Sequence, residues 1–186
     1  MPPKVKITKG DIINATIDIV RKEGTQAINA RTIASVLNCS TQPVFSNFAT
    51  MEELRVAVVE RAENLYEEYM KYEIESNKFP VYKANGMAYI RFAKEEKELF
   101  KLLYMCERSK AGMEEESGLY TEMASMVKAN TGLDEWNAKL FHLEMWAFVH
   151  GIATMFATNF LDLEWDIVSK MLTDCYQGLR KQYGKE

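Results

Sequence analysis

The stretch from Ile33 to Leu54, IASVLNCSTQPVFSNFATMEEL, constrains the fold more than any other part of the chain. Its apolar spacing gives two short helices around a tight turn, followed by a third, capped helix, which is the pattern of a helix-turn-helix. Asn38 stands where the chain must turn sharply, a position that often needs a positive φ and that Asn tolerates better than most residues. Ser40 is expected to cap the next helix. Pro43 then falls at its third position, inside the first turn, where a missing N–H breaks no hydrogen bond. Thr50-Met51-Glu52-Glu53 is a capping box that starts a further helix, and Thr8-Lys9-Gly10-Asp11 repeats the signal upstream. Ile7 with Ile12, and Ile28 with Ile33, are placed to close hydrophobic staples. Helices are therefore expected to start near Lys9, Ala30, Thr41 and Met51. Ile12, Ala15, Ile19, Ile33, Ala34, Leu37, Val44, Phe48 and Leu54 would share one small core.

In Ile12, Ala15, Gly24, Ile33-Ala34, Ser40, Phe45-x-x-Phe48, Glu52 and Leu54 the chain resembles the TetR-type bacterial transcriptional regulators. The resemblance covers about the first third of the sequence. It implies a DNA-binding head over residues 6–66 and an effector-binding and dimerisation domain over 67–186. It also implies a homodimer joined through the last two helices, and a repressor more than an activator. Family members usually carry Tyr at Phe45, His at Asn47 and Lys at Met51, three groups that commonly touch DNA phosphate. Trp146-x-x-x-His150-Gly151 resembles the C-terminal signature of one subgroup.

On a helix starting at Thr41, the residues placed for base edges are Thr41, Gln42 and Ser46, with Gln42 able to pair bidentately with adenine. Phe45 is suited to a thymine methyl or a sugar. Lys4, Lys6, Lys9, Arg31, Ser40, Pro43, Asn47 and Thr50 complete the expected contact surface, mostly toward phosphate. The charge distribution agrees. The chain carries −4 overall, yet residues 1–50 hold six cations against three carboxylates, a net +3 that leaves −7 for the rest. A basic head on an acidic body orients the reading helices toward a phosphate backbone.

Beyond Leu54 the pattern stays helical, with no alternation long enough to force a strand, so the expectation is an all-α chain. The expected helices are Met51–Ile74, Val81–Phe92, Lys94–Ser109, Leu119–Ala129, Glu135–Thr158 and Leu163–Tyr183, with turns at Ser76–Pro80, Lys110–Gly118, Asn130–Asp134 and Asn159–Asp162. The Glu135–Thr158 segment is apolar on more than one face, more than one small domain can bury, which points to a second subunit. Gly151 in mid-helix suggests a close approach of another helix or a ligand.

Soft and aromatic side chains in the middle of the chain suit an adaptable apolar pocket. Tyr66, Tyr69, Phe100, Tyr104, Trp146 and His150 are the candidates to contact an apolar or aromatic effector. No cofactor is expected and no metal site, since His142 and His150 are too far apart on their helix to share an ion. No phosphate loop, Gly-x-Ser-x-Gly or His-Glu-x-x-His occurs, so an enzyme is not expected. Glu67-Glu68, Glu95-Glu96 and Glu114-Glu115-Glu116 read as solvated faces or a turn. Cys39, Cys106 and Cys175 are too scattered for a disulfide framework and read as buried free thiols. No apolar run reaches the length of a bilayer span, and Met-Pro-Pro-Lys does not open a signal peptide, so the expected location is cytoplasmic, away from membranes. The competing reading is a helical interaction adaptor without DNA activity, which would lack a steep salt dependence of duplex binding.

Overall fold

The structure, a computed structural model, describes residues 7–106 and 110–184, with only the backbone course given for 110–120. Among the described residues there are nine α-helices and no strand. They form two compact units: the described part of Met1–Glu67 with Glu96–Met105, and Glu68–Glu95 with the described part of Cys106–Glu186.

In the first unit, α1 (Lys9–Glu23) opens on the expected capping box. The Thr8 hydroxyl accepts the Asp11 N–H and Asp11 accepts the Thr8 N–H in return. The Thr8 N–H and the Thr8 hydroxyl, both donating to the carboxylate, hold the Asp11 carboxyl below its ordinary range. The helix buries Ile12, Ala15, Ile19 and Val20 and stops at Gly24, whose φ of 78° suits glycine. After the 3-10 turn Thr25–Ala27, α2 (Ala30–Val36) starts on Asn29, which accepts the N–H groups of Arg31 and Thr32. Asn38 takes the turn at φ 51°. Then come α3 (Gln42–Asn47) and α4 (Met51–Glu75). Ile33, Val44, Phe48, Leu54, Val58 and Ala62 close the core, while Leu37, expected inside, is half-buried.

Two local expectations are corrected here. The residue before α3 is Thr41, not Ser40, and it makes no side-chain cap; Pro43 sits one position earlier than expected, still in the first turn. In the second box Glu53 takes the N–H of Ala49, one residue before Thr50, at 2.7 Å. Its other oxygen is thereby left for Lys9.

The unit is completed by α6 (Lys97–Tyr104), which packs on α1 and buries Leu99, Phe100 and Leu103. The break before it falls at Glu96, not at Ala93, with no glycine or proline nearby. Both carboxylate oxygens of Glu96 accept from Arg21 of α1, at 2.6 and 2.8 Å. That tertiary ion pair marks the corner where propensity offers no signal.

In the second unit α5 (Val81–Glu95) and α7 (Lys110–Thr131) pack on α8 (Glu135–Ala157), and α9 (Trp165–Tyr183) lies against α5 and α8. Helix α7 runs through Lys110–Gly118, where a turn was expected. Two helical glycines cost about 1 kcal/mol each against alanine, and the fold overrides them. By length and composition α8 is a candidate membrane span, contrary to the expectation that no run is long enough. It buries Phe141, Met145, Val149, Ile152 and Phe156 within the unit, as a core helix does. A Cβ at Gly151 would meet nothing within 4 Å among the described residues, so the close approach expected there does not occur among them. It occurs at Gly86, where a Cβ would lie 3.1 Å from Leu172.

Candidate nucleic-acid interface

Helix α3 is anchored through Val44 and followed by buried Phe48, while Gln42, Phe45 and Ser46 face solvent. Phe45 is 54 % exposed, a large apolar cost unless something covers it. Ser40, Ala49, Thr50 and, on α2, Arg31 are exposed beside it, with Thr41 and Pro43 half-buried. Gln42, Phe45 and Ser46 thus share one open face of α3, while Thr41, also expected at base edges, precedes the helix and is half-buried.

The phosphate set is rearranged by intramolecular contacts. Lys9 lies over the Phe48 ring at 5.0 Å and pairs with Glu53 at 3.2 Å, both side chains well exposed. The Ala49 N–H first and Lys9 second hold the Glu53 carboxyl below its usual range. Asn47 donates to the carbonyls of Pro43 at 2.8 Å and Ile7 at 3.4 Å, so its amide hydrogens tie α3 to the segment before α1. Lys4 and Lys6 lie outside the described residues.

The six candidate effector contacts are divided between the units. In the first, Tyr66 meets Tyr104 edge-on at 5.9 Å and Tyr104 meets Phe100 at 5.2 Å, with burial pushing the Tyr66 phenol well above its ordinary pKa. In the second, Tyr69 packs edge-on against Phe92 at 5.4 Å. Trp146 and His150 stack at 5.0 Å, nearly parallel, and His150 Nδ1 lies 2.9 Å from the Tyr89 hydroxyl. His142 Nδ1 pairs in the same way with Tyr82 at 3.0 Å.

A polar cluster in the second unit had no sequence signal strong enough to find it. Glu73 is buried and accepts from Arg91 Nε at 2.6 Å; Arg91 also reaches Glu95, which accepts the Tyr69 hydroxyl at 2.9 Å. Glu95 and Glu96, expected as a solvated face, are therefore both engaged. Cys106 is exposed instead of buried, and Cys39 and Cys175 are half-buried; none of the three is in a disulfide among the described residues.

No family model and no curated protein sequence matches the chain. Solved structures do match. A TetR-like transcriptional regulator from Rhodococcus sp. RHA1 superposes with a TM-score of 0.72 at 15% identity, over 100% of both chains. The chain has the fold of the TetR-like regulators. MexZ, a repressor responsible for antibiotic resistance in Pseudomonas aeruginosa, gives 0.67 at 18% identity over 92% of this chain and 94% of its own. EbrR, a multidrug binding protein complexed with imidazole, gives 0.56 at 18% identity over 90% and 93%. At such identities the TetR-like likeness lies in the path of the backbone, and the side chains of the head are this protein's own.

Proposed function

We propose that this protein is a cytoplasmic transcriptional regulator that binds duplex DNA as a homodimer, acts by binding and not by catalysis, and represses from a pseudo-palindromic operator until a small effector releases it. The observation that carries the reading is the open face of α3, with Gln42, Phe45 and Ser46 outward on a helix held to the core by Val44. In this role Gln42 and Ser46 read base edges, Phe45 covers a thymine methyl or sugar, and Arg31, Thr50 and the cations before α1 hold phosphates. Asn47 positions α3 through its bonds to Pro43 and Ile7.

Leu143, Trp146 and Met155 on α8 and Ile167 on α9 are exposed large apolar residues, the kind of surface that a second subunit covers. The aromatic cluster at Tyr66 in the first unit and the one at Tyr69 in the second are each of a kind that suits an apolar or aromatic effector. The likeness to a repressor and to a multidrug binding protein supports repression and effector binding.

Anisotropy titrations of labelled duplexes over a range of salt, with sedimentation of the complex, test the reading. A steep fall of affinity with salt and two protomers per site are expected. Salt-independent or absent duplex binding would instead make the protein an adaptor, and a monomer on DNA would overturn the dimer.

A further inference from the structure

Lys83, in the first turn of α5, is a cation held without an anion. Its ammonium donates to the Ser169 hydroxyl at 2.7 Å and the Thr173 hydroxyl at 2.8 Å, one turn apart on α9, and lies 4.7 Å from the centre of the Phe79 ring. Other cations of the same unit do pair with carboxylates, among them Lys94 with Asp162, Arg91 with Glu73, Lys139 with Glu135 and Lys170 with Asp174. Among the described residues Lys83 forms no salt bridge.

Its setting disfavours a lone positive charge in three ways. The start of a helix already carries positive partial charge, and the first turn of α5 holds no acidic residue to offset it. Partial burial lowers the Lys83 pKa, with no charge partner acting against that. Hydroxyl oxygens satisfy hydrogen bonds but bring no net negative charge. Thr173 donates its own proton to the Ser169 carbonyl at 3.0 Å, which fixes its lone pairs toward the ammonium. The Ser169 hydroxyl proton has no acceptor among the described residues. One ammonium hydrogen and one hydroxyl hydrogen are thus left beside an aromatic wall.

We propose that Lys83, Ser169 and Thr173 form a binding site for an oxyanion, the carboxylate or phosphate group of a small molecule. The anion accepts from Lys83 and from the Ser169 hydroxyl, Thr173 holds the ammonium in place, and the Phe79 ring flanks the body of the ligand. Charge-assisted bonds from ammonium and hydroxyl to one oxyanion are the stronger class of hydrogen bond. The site stands whether or not the chain binds DNA.

Calorimetric titration of the full chain with inorganic phosphate and with benzoate, at ionic strength balanced by chloride, tests it. Saturable binding of at least one is expected, and the tighter of the two identifies the headgroup. Lys83→Met, which keeps the aliphatic stem, should weaken that binding by about tenfold or more. Ser169→Ala, a smaller change that keeps the fold even if the lysine variant does not, should weaken it several-fold. No saturation by either anion, or Ser169→Ala and a folded Lys83→Met both binding like the unaltered chain, would overturn the site.

Discussion

His142 sets the acid limit of the second unit. The imidazole is 8 % exposed, and burial pulls its pKa from an ordinary 6.5 down to about 4. Its Nδ1 lies 3.0 Å from the Tyr82 hydroxyl, where the neutral ring can accept the phenolic proton. Between these two pKa values the unfolded chain takes up a proton that the folded chain refuses, so stability falls as pH falls from 6.5 to about 4 and is flat below that for this group. At about 1.4 kcal/mol per pH unit the loss comes to about 3 kcal/mol. Carboxylates held low by hydrogen bonds, such as Asp11 and Asp134, lose their contribution further down, once pH enters the ordinary carboxylate range. His142→Gln keeps an acceptor for Tyr82 but has nothing to titrate. Urea unfolding of both proteins from pH 7 to pH 4 should show the variant weaker at pH 7 and the difference shrinking, or reversing, by about 3 kcal/mol at pH 4. Parallel curves would refute the argument, because they would mean that folded and unfolded chains protonate His142 alike.

Other outcomes follow from the proposed roles of the head and of an effector. Gln42→Ala should cost about 1–3 kcal/mol on the preferred operator and relax preference at one base position per half-site, read from binding to single-base operator variants. Glu53→Gln frees Lys9 from its ion pair at 3.2 Å, so anisotropy titrations should show a salt slope steeper by about one unit and tighter binding to all duplexes. Phe45→Tyr combined with Met51→Lys should tighten specific and non-specific DNA alike with little change in discrimination, checked by the ratio of the two affinities. If an effector weakens operator binding tenfold, which takes about 1.4 kcal/mol of coupling, operator DNA must weaken effector binding by the same factor; equal effector affinities with and without DNA would exclude this mechanism.

The helices were legible at most places where a local signal fixed them, the cap expected of Ser40 being an exception. Thr8, Asn29 and Asp134 each accept N–H groups of the turn they open, and Asn38 adopts the positive φ that its place in the turn requires. Failures came where a partner distant in sequence decides. The corner at Glu96 is tied to Arg21, 75 residues earlier, and Ala93, Lys94 and Glu95 are as helical by propensity as their neighbours. The helix through Lys110–Gly118 goes the other way, since two glycines and a run of glutamates suggest a turn that the fold does not make.

The same division runs through the candidate interface. Which residues of α3 face outward follows from helical spacing once Val44 and Phe48 are placed inside, so Gln42, Phe45 and Ser46 were readable in advance. What Lys9 and Asn47 do with their donors was not, because Glu53 lies 44 residues from Lys9 and the Ile7 carbonyl 40 from Asn47. Both contacts remove phosphate donors from a head that already lacks the Tyr and Lys usual at Phe45 and Met51. Under the proposed function, a head so depleted would depend more on direct base readout and on apolar contact through Phe45 than on charge. By that reasoning its operator affinity should fall less steeply as salt is raised than that of a head with free lysines, since each phosphate contact adds about one unit to the salt slope.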